Sequence, residues 1–238
     1  MNYQLELDEI IKRNSRDNLL PRLLLHSCCA PCSSYVLECL ANYFEITVFF
    51  YNPNIYPESE YRKRADELVN FIHNINTKGN HKVEEYFKEN NLKSKTDNWN
   101  QGDNLNAGHN FRFSSKIDFL EGAYDKTVFY QLTAGMEDEK EGGCRCLLCY
   151  RLRLEETAKK AKLEGYDYFA TTLTVSPMKS AIKLNEIGRE LEENHGINWL
   201  PSDFKKRNGY KRSLELSTEY NLYRQNYCGC EFSMPSKL

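Results

Sequence analysis

Apolar and polar positions follow two different rhythms along this chain. Arg22-Leu23-Leu24-Leu25-His26 is a short apolar run that ends in small and turn-forming residues, the pattern of a buried strand. Ser33 to Asn42 has helical spacing, with Tyr35, Val36, Cys39 and Leu40 along one side. Ile46 to Tyr51 predicts a second strand, closed by Asn52-Pro53-Asn54. From Glu58 to about Asn76 a helix is expected, carrying Tyr61, Ala65, Leu68, Val69 and Ile72 on one face. Further on, Leu147 to Leu163 reads as an amphipathic helix and Tyr166 to Leu173 as a strand. Ala181 to Asn194 reads as another helix, and Ile197 to Leu200 as a last short strand. Strands alternating with helices argue for βαβ units and a mostly parallel α/β sheet with helices on both faces.

Two regions break the rhythm. Residues 90–115 are rich in Asn, Lys, Ser, Asp and Gly and are expected to form a polar surface insertion in a single α/β domain spanning 1–238. The segment 204–238 starts basic, with Lys205, Lys206, Arg207, Lys211 and Arg212, and then turns aromatic around Cys228-Gly229-Cys230.

Composition narrows the class. With 238 residues, 40% hydrophobic, 16 Tyr and 12 Phe, the chain can build a real core, and global disorder is excluded. A net charge of −2 gives no support to a globally basic nucleic-acid binder, although a local patch can still hold RNA. No apolar run reaches the roughly 20 residues of a membrane span. The first residues lack the pattern of a secretory signal, so a cytoplasmic location without membrane attachment is expected.

Nine cysteines then carry most of the information. Cytosolic thiols are kept reduced, so clustered cysteines point to metal or redox chemistry. Cys28-Cys29-Ala30-Pro31-Cys32 follows the first strand, where parallel sheets place ligands and where the next helix N-terminus favours thiolate. Cys144-Arg145-Cys146-Leu147-Leu148-Cys149 precedes another helix, and the Cys146-x-x-Cys149 spacing lets both sulfurs reach one centre. Two ligands from each group make a four-thiolate site that suits zinc or a 4Fe-4S cluster equally by count. Cys228-Gly229-Cys230 reads either as a strained, redox-active pair or as a third metal-binding element. Cys39 reads as a small buried hydrophobe, while Cys32 and Cys144 stay open.

These motifs resemble the cobalamin-independent epoxyqueuosine reductase family, QueH, over roughly residues 20 to 235. The likeness rests on His26-Ser27-Cys28-Cys29-Ala30-Pro31-Cys32, Tyr51-Asn52-Pro53-Asn54-Ile55, Arg145-Cys146-x-x-Cys149-Tyr150, Arg153-Leu154-x-x-Thr157-Ala158, Thr172-Leu173-x-x-Ser176-Pro177 and Leu222-Tyr223-Arg224-Gln225-x-Tyr227-Cys228-Gly229-Cys230. The resemblance implies a Rossmann-like fold of the HUP type. It implies reduction of the epoxide of epoxyqueuosine at the tRNA wobble position, the last step of queuosine synthesis, with an external electron donor. It also implies that Cys28, Cys29, Cys146 and Cys149 hold a 4Fe-4S cluster and that Cys228 and Cys230 form a redox-active disulfide. ATP-handling relatives of that fold carry a Ser/Gly-rich phosphate loop where Ser27-Cys28-Cys29-Ala30 stands here, so no ATP use is expected. Residues 90–115 and the stretch before Pro21 exceed the family's compact core.

Other residues have competing readings. His26 reads first as a satisfied strand-end residue. Tyr51, Asn52 and Tyr56 are placed beside the Cys28 end of the sheet and are candidates for nucleoside contact. Arg151 reads as solvated, whereas Arg153, inside a family motif, is a candidate for phosphate. Lys205 and Lys206, in a basic stretch with aromatics, suit phosphate contact and base stacking on an anticodon loop. An additional mononuclear metal ion beside the cluster is a further expectation. The rival functions are a structural-zinc RNA-binding protein, a protein thiol–disulfide oxidoreductase and a tRNA thiolation-type enzyme.

Overall fold

The computed structural model describes residues 2–90 and 116–234, with side chains outside 78–90. The expected insertion at 90–115, apart from Asn90, and the last four residues of the tail lie outside the described residues. Among the described residues five strands pair in the order β3-β2-β1-β4-β5. They are β1 (Arg22–His26), β2 (Glu45–Phe50), β3 (Asp118–Glu121), β4 (Tyr168–Thr171) and β5 (Asn198–Trp199). All four pairings are parallel, with Leu24 opposite Thr47 on one side and Phe169 on the other. This is the strand order of a Rossmann-type doubly wound sheet, whose direction of winding reverses between β1 and β4.

Alternation along the strands produces the two layers. Leu23 and Leu25, with Ile46, Val48 and Phe50 and with Tyr168 and Ala170, face one core. On that side lie α1 (Tyr3–Arg16), α2 (Ala30–Leu40) and α3 (Glu58–Asn90) through Leu7, Leu37, Tyr61 and Leu68. The residues between them, Leu24, Phe49 and Phe169, face the other core. That core is closed by α5 (Cys144–Leu163) and α6 (Ala181–His195) through Leu154, Ala158, Leu184 and Leu191. Because both faces are covered, β1 shows no polar alternation, and its three leucines are fully buried. No helix among the described residues is long and apolar enough to cross a membrane.

Several boundaries differ from the sequence expectation. Helix α2 begins at Ala30, three residues before the expected Ser33, because Pro31 is tolerated in a first turn where its missing N–H costs nothing. The third helix continues to Asn90 instead of stopping near Asn76. Strand β4 stops at Thr171, and the Thr171 hydroxyl accepts the amide of Leu173 to start a 3-10 turn over Thr172–Val175. Four elements have no counterpart in the hydrophobic pattern: α1, β3, α4 (Lys126–Leu132) and α7 (Gly209–Glu219). Helix α1 is mostly polar, yet Leu7 is buried and Ile10 and Ile11 pack on the first core.

Gly188 of α6 lies against the buried Trp199, and a Cβ there would meet the indole ring at 2.3 Å. The ring is held by a 3.0 Å hydrogen bond from its N–H to Asn185. Gly188→Ala is therefore expected to destabilise the protein by about 1–3 kcal/mol through overpacking, despite the roughly 1 kcal/mol better helix propensity of Ala. Urea unfolding checks this, and an unchanged midpoint would mean that Trp199 repacks freely.

Candidate metal and redox site

The cysteine groups meet outside the carboxyl ends of β1 and β4, where the sheet order reverses and a crevice opens between the two loops. A cleft of about 330 Å³ lies there. Its wall includes Cys28, Pro31 and Cys32 from the β1 side, Val175 to Lys179 from the β4 side, and Tyr210 and Ser213 of α7. The closing side is the tail segment Arg224 to Cys228.

Cys29 is the N-cap of α2 and Cys32 lies in its first turn. The sulfurs of Cys28, Cys29 and Cys32 all lie within 4.8 Å of one another, a group able to hold a metal ion. Cys28 and Cys29 are 3.7 Å apart. Hydrogen bonds from Cys29 and Cys32 hold the Cys28 thiol well below its ordinary pKa against the cost of burial, with help from Lys179 and Arg153. Cys29, as donor to that sulfur, is pushed up to about 12, and Cys32 is raised well above its ordinary value. Three sulfurs this close, with Cys28 inclined toward thiolate, can gather round a single cation.

Helix α5 contributes the second group. Its buried stripe repeats at helical spacing as Cys146, Cys149, Tyr150, Arg153, Leu154, Thr157, Ala158 and Ala161. The periodicity turns both cysteines and Arg153 toward the sheet. Burial raises the Cys146 thiol, although the Gly142 amide donates to its sulfur at 3.3 Å. Burial likewise pushes Cys149 up to about 12. Both sulfurs lie near Cys228 and Cys230, and Cys149 shares an apolar cluster with Cys230 and Phe129.

Positive charge is buried among these sulfurs. Arg153 is 1% exposed and donates to the Cys149 carbonyl at 3.2 Å and to Asn52 Oδ1 at 3.4 Å. Its Nη2 has no partner among the described residues. Burial acts to lower its pKa, but the thiols of Cys149, Cys228 and Cys28 outweigh that and raise it. Lys179 is treated the same way, its pKa raised against burial by Cys228, Cys28 and Cys32. Arg64, also fully buried, donates to Glu60 at 2.7 Å and to the Cys228 carbonyl at 3.1 Å. Its Nη2 is a second orphaned donor. An unpartnered buried donor costs about 1–3 kcal/mol, and orphaned N–H groups on guanidiniums facing thiols fit an anionic sulfur centre.

Arg64 also anchors the tail. The Gly229 carbonyl accepts the Tyr56 amide at 2.8 Å, the Tyr227 hydroxyl donates to the Tyr56 carbonyl at 2.7 Å, and the Arg64 guanidinium lies over the Tyr227 ring. Cys228 and Cys230 are free thiols, as are the other seven cysteines. Cys228 lies on the cleft wall and Cys230 is buried.

The remaining expected residues have these places. His26 is structural: its Nε2 donates to the Tyr51 carbonyl at 3.2 Å and its Nδ1 accepts from the Thr171 hydroxyl at 2.9 Å. Burial, aided by Arg153, pushes its pKa down to about 3. Asn52 donates to the Ser27 carbonyl at 2.8 Å and receives Arg153, so it braces the Cys28 loop. The Tyr51 ring stacks on Phe49 and lies outside the cleft wall. Lys205 gives its ammonium to the carbonyls of Thr174 and Lys179 and to Asp203, while Lys206 is exposed. Arg151 pairs with Glu190 on the surface. Cys39 packs on the first core, and Cys144 is exposed at the start of α5. Sequence reasoning passed over Lys179 and Arg64. Lys179 stood just after the Ser176-Pro177 motif at a strand's carboxyl end, which was the available signal; Arg64 had none.

Gly229 adopts φ +132°, and a Cβ there would come within 3.1 Å of both Arg64 Nη1 and Ile55. Gly229→Ala is expected to leave the sheet folded but loosen the tail. Hydrogen exchange of residues 222–234 should quicken selectively, and unchanged protection there would show that the turn absorbs the methyl group.

Comparison with known proteins agrees with this geometry. A family model described as epoxyqueuosine reductase QueH matches residues 23–97 and 77–236. The chain is 40% identical over 235 residues to the epoxyqueuosine reductase QueH of Staphylococcus epidermidis, covering 98% of this chain and 84% of that protein. It is 38% identical, with the same coverage, to that of Staphylococcus aureus. The protein of the same name from Thermotoga maritima is 32% identical over 213 residues, 89% of this chain and 90% of that one. Identity at this level along nearly the whole length, with the cysteine groups converging as they do, places the chain in the epoxyqueuosine reductase QueH family.

Proposed function

We propose that this protein reduces the epoxide of epoxyqueuosine, at the wobble position of tRNA, to the cyclopentene-diol of queuosine. The observation that carries the chemistry is the cleft at the reversal of the sheet, which Cys28, Cys32, Cys228 and Lys179 line from three sides. Family membership supplies the substrate.

An all-sulfur donor set in a buried site surrounded by Arg64, Arg153 and Lys179 suits a 4Fe-4S cluster held by Cys28, Cys29, Cys146 and Cys149. When bound, such a cluster supplies single electrons and an iron able to polarise oxygen. The chain's own residues do the rest. Arg153 balances thiolate charge from inside the protein. Asn52 and His26 fix the Cys28 loop against β2 and β4. Cys228 and Cys230 store two electrons as a dithiol and give them up as a disulfide, to be restored by an external donor. The close Cys28, Cys29, Cys32 group offers a second ligand assignment, in which Cys32 replaces one of the α5 cysteines.

Anaerobic purification with iron and sulfide analysis separates these readings. Cys146→Ser and Cys149→Ser are expected to lose most of the iron, and Cys32→Ser to keep it; the reverse result moves a ligand to Cys32. A colourless zinc protein would overturn the cluster. Cys228→Ser and Cys230→Ser should retain the iron and its absorbance yet lose single-turnover reduction of epoxyqueuosine tRNA by the pre-reduced enzyme. Turnover at the wild-type rate in those variants would remove the dithiol from the mechanism.

The exposed Lys206 beside the cleft-lining α7 is the better candidate for tRNA phosphate, since Lys205 is tied to backbone carbonyls. Lys206→Glu is expected to raise KM for tRNA and to flatten its logarithmic salt dependence by about one unit. A KM equal to that of the unaltered protein would retire the contact.

A further inference from the structure

A cation without a carboxylate of its own stands in the cleft wall. Lys179 is 8% exposed, and its Nζ makes no hydrogen bond or ion pair to any described residue. The groups it faces are the thiols of Cys228, Cys28 and Cys32 and the phenol of Tyr150. The one carboxylate on the cleft wall is Glu141, which is exposed. Arg64 and Arg153 approach the same sulfurs, but neither lines the cleft. Those two buried cations therefore lie on the protein side, while the cleft wall itself carries Lys179 and Arg224, the latter turned onto Ser213 and Ser217.

From this placement we infer that Lys179 is a catalytic residue, whose ammonium holds the oxygen of the epoxide while its carbon–oxygen bonds break. The inference rests on the activity proposed above and goes beyond it by naming the group that receives the oxygen. Opening an epoxide builds negative charge on an alkoxide-like oxygen, and a fixed cation in a water-poor cleft stabilises that charge without reorganising. The backbone that carries Lys179 is fixed. Its amide donates to the Ser176 carbonyl at 3.2 Å, its carbonyl receives Lys205 at 3.3 Å, and the next residue, Ser180, caps α6.

The step balances without a proton from Lys179. Both carbon–oxygen bonds break and a carbon–carbon double bond forms. The Cys228 and Cys230 thiols give two electrons and two protons and become a disulfide. The oxygen leaves as water, and the lysine keeps its charge throughout. Lys205, expected from sequence to touch RNA, becomes on this view the brace of the loop that presents Lys179.

The test uses the full-length protein, reconstituted without oxygen, with epoxyqueuosine tRNA. Lys179→Ala and Lys179→Met are expected to keep wild-type iron and sulfide content and wild-type KM, with kcat reduced about 100- to 1000-fold. Added ethylammonium should restore turnover to Lys179→Ala in proportion to its concentration, but not to Lys179→Met, whose side chain fills the space. Loss of iron would assign Lys179 to charge balance alone, and a raised KM at unchanged kcat would assign it to tRNA binding; either overturns the proposal. So does a Lys179→Ala rate that ethylammonium leaves unchanged. If the unaltered protein leaves the epoxide intact, the proposed activity falls and this role falls with it. If the unaltered protein turns over and Lys179→Met matches it, the role of Lys179 alone is wrong.

Discussion

A guanidinium cannot shed its proton inside a protein, and Arg153 sits at the centre of this one with no carboxylate beside it. A buried charge in that position costs several kcal/mol unless negative charge is brought to it. Among the sulfurs near it, Cys28 is the one held well below its ordinary pKa. The thiols of Cys149, Cys228 and Cys28 surround Arg153, and each belongs to a different part of the chain. The convergence of α5, the tail and the β1 loop thus sets three sulfurs around one buried cation. Asn52, which links Arg153 to the Ser27 carbonyl, transmits the position of the arginine to the cysteine loop.

The sheet decides where this happens. Parallel strands with both faces covered leave only their ends open, and the reversal between β1 and β4 separates two loops at one of those ends. The β1 loop brings sulfur and the β4 loop brings Lys179. Neither loop needs an insertion, because the 3-10 turn after β4 and the early start of α2 shape the crevice within a few residues of each strand.

Legibility in the sequence followed the strength of the local signal. Strands β1, β2 and β4 and helices α5 and α6 were readable because their apolar residues recur at one period over a full element. Helices α1 and α7 were not, since two buried positions in the one and four in the other, set among charges, look like a solvated stretch. The cysteine groups were readable from spacing alone, as far as a four-thiolate site. Spacing could not show that the Cys32 sulfur stands within 4.8 Å of those of Cys28 and Cys29. That depends on where α2 starts, which Pro31 moved. The partners of Lys205 were hidden for a related reason: a basic residue in a polar run looks solvent-facing unless the carbonyls of Thr174 and Lys179 are known to point at it. Arg64 gave no sign, because its partners Cys228 and Tyr227 come from the far end of the chain.

The tail's attachment to α3 through Arg64 also sets an order of assembly. Cys28 and Cys29 leave the ribosome almost a whole chain length before Cys228, and a nascent chain folds in the order it emerges. Residues 222–234 then add the last wall of the cleft by docking on Arg64 and Tyr56. The site therefore takes its final shape only when the last part of the chain has joined the first.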